Sequence, residues 1–413
     1  MSTGHFLRTL SLALALVAVP ASLHAQTLPP VPTGPVEDPA ETAKIRLGPL
    51  FLQPNFGLRD VGRDNNVFND PADPKSDWTA TVNMGMLAGL RYGPARFTVK
   101  TDSNYIWFAR ERTERSIDGS TRLQLEVRSE RVRPWIAMER TKTHERAGLE
   151  IDARAGREVP SYDAGIEYRP GFRLGMRLVA KQREVRYQDD DAFRGQKLAD
   201  VLDAEYQDGA LQVLYELSPL SAIRLSAEVS RARFDVATVR DADDYAFYGG
   251  IEGRRDAAVE GYIELGWRER TPLDSTAPSY SGVVARAAAS FVLWDQVRIS
   301  FGADRDIPWS YEDAYTFYVQ QGGSTTATWR PHDRFELQAT GRHYWLDYEQ
   351  GLDARAVLRT DKVYSYGSGF GFFIRGYPGT RLGITVERAV RDSVLADRRY
   401  DTPRVYTNVG FSF

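Results

Sequence analysis

Five histidines are the residues best suited to act as general bases: His5, His24, His144, His332 and His343. A Ser–His or Asp–His hydrolytic centre needs the imidazole beside a nucleophile or an orienting carboxylate. His5 and His24 fall in a leader-like first segment, and His332 lies in a short turn beside Pro331. His144 and His343 sit on or near strand ends with no hydrolase pattern around them, so an ordinary surface or lumen role is expected. No catalytic residue is assigned. The absence of cysteine removes disulfides, thiolate metal sites, a Cys nucleophile and a lipidated N-terminal Cys. It also suits passage through an oxidising periplasm.

Clustered carboxylates are the next candidates. Asp189-Asp190-Asp191 and Asp241 with Asp243-Asp244 offer hard oxygen ligands suited to Ca²⁺, or to divalent bridges with lipopolysaccharide. Their spacing matches no defined calcium loop, and a solvated loop is the plainer reading. No metal or cofactor is expected.

The basic residues carry more information. Of 53, seven are lysine and 46 arginine. Arg96, Lys100, Arg122, Arg128, Arg173, Arg177, Lys181, Arg224 and Arg298 share faces opposite apolar neighbours, and Glu126, Glu216, Glu228, Glu260, Glu264 and Glu336 occupy equivalent faces. Facing lipid, each basic group would cost ~2–4 kcal/mol near the midplane, so these faces must turn to a lumen. There they form either a salt-bridged wall or a basic strip attracting anionic solutes and acidic sugars, whose carboxylates suit the guanidinium fork. Tyr262, Tyr318 and Tyr344 could stack on sugar rings or simply fill space. A net charge of −3 points to no nucleic-acid partner.

Such faces require strands. In Trp78 to Leu90 the residues Trp78, Ala80, Val82, Met84, Met86, Ala88 and Leu90 form one face against Thr79, Thr81 and Asn83. Leu174, Met176, Leu178 and Ala180 oppose Arg173, Arg177 and Lys181, and Val283 to Leu293 repeats the pattern. No mature segment has the ~18–20 apolar residues a spanning helix needs. Short turns recur at Tyr92-Gly93-Pro94, Val132-Arg133-Pro134, Arg169-Pro170-Gly171, Ser218-Pro219-Leu220, Arg254-Arg255-Asp256, Trp294-Asp295, Arg330 to Asp333 and Gly376 to Gly379. Longer polar connectors fall between them, among them Asp60 to Lys75, Glu111 to Asp118, Gln188 to Asp203 and Asp347 to Leu358; Thr141 to Pro160 resists parsing. Eight short turns with both termini on their side imply about eighteen strands of an antiparallel up-and-down transmembrane β-barrel over 47–413. The barrel is preceded by a signal peptide over 1–25 and a Pro-rich periplasmic tether over 26–46.

The tryptophans argue for a membrane. Trp135, Trp294 and Trp329 fall beside short turns, while Trp78, Trp107, Trp267, Trp309 and Trp345 fall near long-loop ends. That spacing predicts two interfacial girdles against outer-membrane lipid and lipopolysaccharide. The last strand alternates through Val405, Thr407, Val409 and Phe411 and ends on Phe413, a form suited to the barrel-assembly machinery.

Asp64-Asn65-Asn66-Val67-Phe68 resembles the motif after the first strand in the putative β-barrel porin 2 superfamily. Ser76-Asp77, the stretch Tyr187 to Gly195 and the turn Ser218 to Ser221 extend the resemblance. The resemblance implies an outer-membrane barrel associated with exopolysaccharide or capsule export, working with periplasmic and inner-membrane export components. The leading expectation is therefore a pore for envelope polymer. A general or anion-preferring diffusion porin and a structural or adhesive barrel are the alternatives.

Overall fold

An alternating strand satisfies its backbone groups only against neighbours, and in a bilayer no edge can stay open. The computed structural model describes residues 43, 45–69, 73–254, 257–352, 356–374 and 380–411. The leader, nearly all of the tether, Arg255-Asp256, the turn Gly376 to Gly379 and Phe413 lie outside the described residues.

Eighteen long strands follow one another. They are β1 (Leu50–Asp64), β2 (Asp77–Tyr92), β3 (Ala95–Phe108), β4 (Ser116–Val127), β5 (Val132–Thr143) and β6 (Arg157–Tyr168). Next come β7 (Leu174–Tyr187), β8 (Ala204–Ser218), β9 (Ser221–Phe234), β10 (Ala242–Gly253), β11 (Val259–Pro272) and β12 (Tyr280–Leu293). The last six are β13 (Val297–Asp306), β14 (Val319–His332), β15 (Phe335–Tyr348), β16 (Arg359–Phe373), β17 (Arg381–Asp392) and β18 (Tyr400–Phe411). Each pairs antiparallel with the next. Pairing of β1 with β18, at Leu58↔Val409 and Asp64↔Arg404, closes the ring. The expected eighteen-stranded barrel is the fold.

Two boundaries shift. A three-residue strand, Ile45–Leu47, folds back on Leu50–Leu52, so the sheet begins inside the segment expected as tether. β1 runs on to Asp64 rather than ending at Asp60, because Asp60 adopts φ 55 in a bulge that slips the register between Leu58 and Val61. The turn at Trp294-Asp295 is tight, both residues taking left-handed φ (50° and 55°).

Burial is inverted relative to a soluble protein. Trp78, Met84, Met86, Leu90, Leu178, Leu225, Phe247 and Leu265 are exposed on the outside, while Arg177, Arg224, Gln212 and Glu264 are buried inside. That inversion is the signature of lipid outside and a polar lumen within. Trp78, Trp107, Trp267 and Trp345 lie on the outer face near the long loops, and Trp294 and Trp329 are exposed near the short turns. The two-girdle expectation fails for the other two. Trp135 pairs with Glu126 and turns inward, its Nε1 donating to Asp163 at 3.2 Å. Trp309 is buried in a loop folded into the mouth.

Candidate functional site

Strand alternation puts eight of the nine expected basic residues on the lumen side. Arg122 forks onto Asp163 (2.7 and 2.8 Å) and reaches Glu139 at 3.3 Å. Arg128 pairs with Glu126 at 3.0 Å, and Arg177 with Glu167 at 3.1 Å beneath the Trp135 ring. Arg224, almost fully buried, meets Glu264 at 3.1 Å; Glu264 also holds Arg286, which binds Glu228 at 2.8 Å. Arg96 donates to the carbonyls of Gly93 and Ala95, and Arg298 approaches Ser290 Oγ at 3.5 Å. Lys181 stands in register between Asp163 and Asp208, and Lys100, exposed, between Leu87 and Arg122. Arg173 departs from the expectation: it is exposed in the turn before β7, beyond the wall. Of the two readings of these faces, the ion-paired wall accounts for Arg122, Arg128, Arg177 and Arg224.

The other candidates separate. His343 is on the outer face, stacked on Trp345 at 4.1 Å, whereas His144 is 3.7 Å from Glu114 in the loops and His332 Nδ1 accepts from the Arg334 amide at a turn. Asp241 accepts the Phe234 amide (2.7 Å), Asp243 holds Arg233 (2.7 Å), and Asp244 takes both prongs of Arg270 (2.8 Å each). Asp191 accepts the Gly156 amide. These carboxylates are occupied by backbone amides and guanidinium groups. Tyr344 is buried and donates to Asp304 at 2.8 Å, Tyr318 stacks on Tyr348, and Tyr262 lies under Arg224. Within Asp64 to Phe68, Asp64 accepts the Asn66 amide (2.9 Å) and pairs with Arg404 of β18 at 3.1 Å, across the closing seam. Val67 is buried with Ile106 and Phe108, Phe68 packs against them, and Asn65 is exposed. The motif fastens the first loop to the barrel.

The residues that sequence reasoning missed are in the loops. The connector 144–156, between β5 and β6, is docked on β15–β17 and the loops beside them, half-way around the ring. Its Glu150 carboxylate accepts from Ser310 Oγ (2.7 Å), the Tyr311 amide (2.9 Å) and Tyr348 Oη (2.9 Å). Arg391, fully buried, donates to Leu149 O (2.9 Å), Asp152 Oδ2 (2.9 Å) and Asp361 Oδ2 (2.6 Å), while Arg398 donates to Glu150 O at 2.8 Å. The loop 188–203, with a short helix Leu198–Leu202, adds Phe193, Leu198, Val201 and Leu202 to an apolar cluster with Ile151, Trp309 and Tyr311. Three long loops thus build a small core inside the mouth, with buried charges matched at its rim. The failure of Thr141 to Pro160 to alternate is the one sequence signal of this: its middle, 144–156, leaves the wall.

Burial raises the Glu150 carboxyl above the usual range, against the pull of Arg398. Burial, together with Arg404 beside it, lowers Arg146 in the same loop to about 10, so it stays charged at neutral pH. The arrangement can narrow a passage and present guanidinium groups to whatever enters.

The family described as Putative beta-barrel porin 2 matches residues 38–413. No curated protein matches the chain. Among solved structures, the barrel is similar to a BenF-like porin from Pseudomonas fluorescens Pf-5, at 11% identity over 88% of this chain and 99% of that one, with a TM-score of 0.50. It is similar also to OpdL of Pseudomonas aeruginosa, at 12% identity over 88% and 99%, with a TM-score of 0.50. At that identity the likeness is one of fold.

Proposed function

The chain belongs to the putative β-barrel porin 2 family, and from that premise we propose that it is an outer-membrane diffusion channel passing small, preferentially anionic solutes. The observation that carries this reading is the loop 144–156 docked across the mouth, held by Arg391 of β17 and Arg398 of the loop that follows it. Eighteen strands enclose a porin-sized lumen, and loops packed inside it convert a wide duct into a sieve. Guanidinium groups at the sieve attract anions, and low-dielectric walls focus that field. An exopolysaccharide chain, the motif-based expectation, would have to pass loops that share an apolar core. The small-solute reading is therefore preferred. Export under the 1–25 leader with cleavage after Ala25, and insertion guided by the strand ending at Phe413, complete the proposal.

Planar bilayers test it. Purified protein is expected to give stepwise conductance, with a reversal potential in a salt gradient that favours chloride over potassium. A protein that inserts yet conducts nothing would sink the reading.

A further inference from the structure

On the turn-ward side of loop 144–156 lies a chamber of about 310 Å³, within the ~300–1,000 Å³ of small-molecule sites. The loop supplies Arg146 and Arg154; the inner wall supplies Arg342 from β15 and Arg404 from β18. Arg154 is engaged by Glu114 (3.3 Å) and Arg404 by Asp64 (3.1 Å). Arg146 spends its donors on carbonyls, those of Asp152 (2.6 Å) and Val67 (3.0 Å). Arg342 has no carboxylate in ion-pairing range among the described residues. The acidic residues of the lining are Glu145, Asp152 and Glu387, and Asp152 is already held by Arg391. With Arg154, Arg404 and Asp152 paired, Arg146 and Arg342 stand against Glu145 and Glu387, and the Arg342 guanidinium remains free to fork onto an incoming carboxylate.

The rest of the lining decides what body that carboxylate carries. Asn69, Ser365, Tyr400 and Glu387 present amide, hydroxyl and carboxylate groups, against the small apolar surfaces of Leu149, Val363 and Ala389. Such a wall can replace the water on several hydroxyls. We propose that the chamber is a binding subsite for a small hydroxylated carboxylate the size of a sugar acid, its carboxylate held by Arg342 with Arg146 alongside and its hydroxyls by Asn69, Ser365 and Glu387. This deepens the channel reading and rests on it for its route of entry.

Glucuronate, with glucose as the neutral analogue of similar size, is the probe. In planar bilayers glucuronate is expected to reduce the chloride current saturably, and glucose to do so at concentrations roughly tenfold higher or more. Arg342→Ala is expected to raise the half-blocking concentration of glucuronate roughly tenfold, with block read as a fraction of each variant's own open-channel current. Arg342→Lys should fall between. Calorimetric titration of the detergent-solubilised full chain with glucuronate reads binding without conduction. A silent protein that still binds glucuronate through Arg342 supports the subsite and removes the channel reading. An anion-preferring channel that glucuronate and glucose block equally, or whose block survives Arg342→Ala, overturns the subsite alone.

Discussion

Tyr348, at the end of β15, donates its hydroxyl to Glu150 Oε1 at 2.9 Å, joining residues 198 positions apart and on opposite sides of the ring. Glu150 is the point on which the crossing loop rests: its side chain collects three donors, and its carbonyl two more, from Arg398 and Arg391. A buried carboxylate so held fixes position, because its alternatives leave either the charge or the donors unmatched.

The same carboxylate makes the narrowing depend on pH. Burial, opposed by Arg398 and reinforced by Glu312, raises its pKa in the docked state above the ordinary 4.5. A raised carboxyl favours docking fully below 4.5, and that contribution is lost as pH rises through the raised value. The loop should therefore hold more firmly in acid, and single-channel conductance should fall as pH is lowered from neutral toward 4.5. Glu150→Gln, which imitates the protonated form, is expected to flatten the dependence. A conductance that increases in acid in the parent protein would contradict this.

Arg391 and Asp361 supply the second prediction. Both are fully buried and 2.6 Å apart, and Arg391 also carries Asp152. Arg391→Ala strips Asp152 of its guanidinium and leaves Asp361 with Arg359 (3.4 Å) and Ser393, a loss of about 3–5 kcal/mol for a broken buried pair. Asp361→Ala removes one of those liabilities, so the double variant should be less destabilised than the sum by roughly 0.5–3 kcal/mol. Urea unfolding in detergent, followed by tryptophan fluorescence, measures both. Simple additivity would show that the two do not act as a unit.

How much of this was legible beforehand follows from what a period of two encodes. Alternation in runs such as Trp78 to Leu90 assigns each side chain to lipid or lumen, and eight short turns count the strands, so the barrel could be read from local pattern. Trp135 and Trp309 escaped that logic: position near a strand end does not say which face a ring takes, and Trp135 follows the parity of Glu126 into the lumen. The crossing loop escaped it altogether. Its contacts join Glu150 to Tyr348 and Arg391 to Asp152 across 198 and 239 positions, and no local periodicity carries pairings of that separation. For the same reason the ion pairs of Arg122 and Arg224 with Asp163 and Glu264 were visible as shared faces but not as partners.

Lumen charge gives the third prediction. Lys100 is exposed and next in register to Arg122, which is committed to Asp163 and Glu139. Lys100→Glu is expected to lower the chloride-to-potassium permeability ratio by roughly twofold or more without loss of stability. Arg122→Ala should shift selectivity the same way, because Asp163 loses its guanidinium and keeps the Trp135 donor, but with a lower urea midpoint as well. Reversal potentials in a KCl gradient and unfolding curves separate the two. Equal stability of both variants would argue against the ion-paired wall.

Closure of the ring gives the last. Gly62 of β1 pairs with Tyr406 of β18 just past the bulge. A Cβ there would stand 2.2 Å from Val405 O and 2.5 Å from Tyr406 Cα, both backbone atoms of the closing strand. No rotamer change relieves contact with backbone, so the strands must part where they seal the barrel. Gly341 of β15 is the control, since a Cβ there meets nothing within 4 Å. Barrels that close migrate differently in detergent gels before and after heating, which gives the measurement. Gly62→Ala is expected to lose most of the compact, heat-modifiable form on refolding into detergent or lipid, and Gly341→Ala to keep it. Because an open seam leaves unpaired N–H and C=O groups in hydrocarbon, each costing several kcal/mol, an intermediate structure should not accumulate in the bilayer. Normal folding of Gly62→Ala would mean that β1 and β18 meet differently from the register Gly62↔Tyr406.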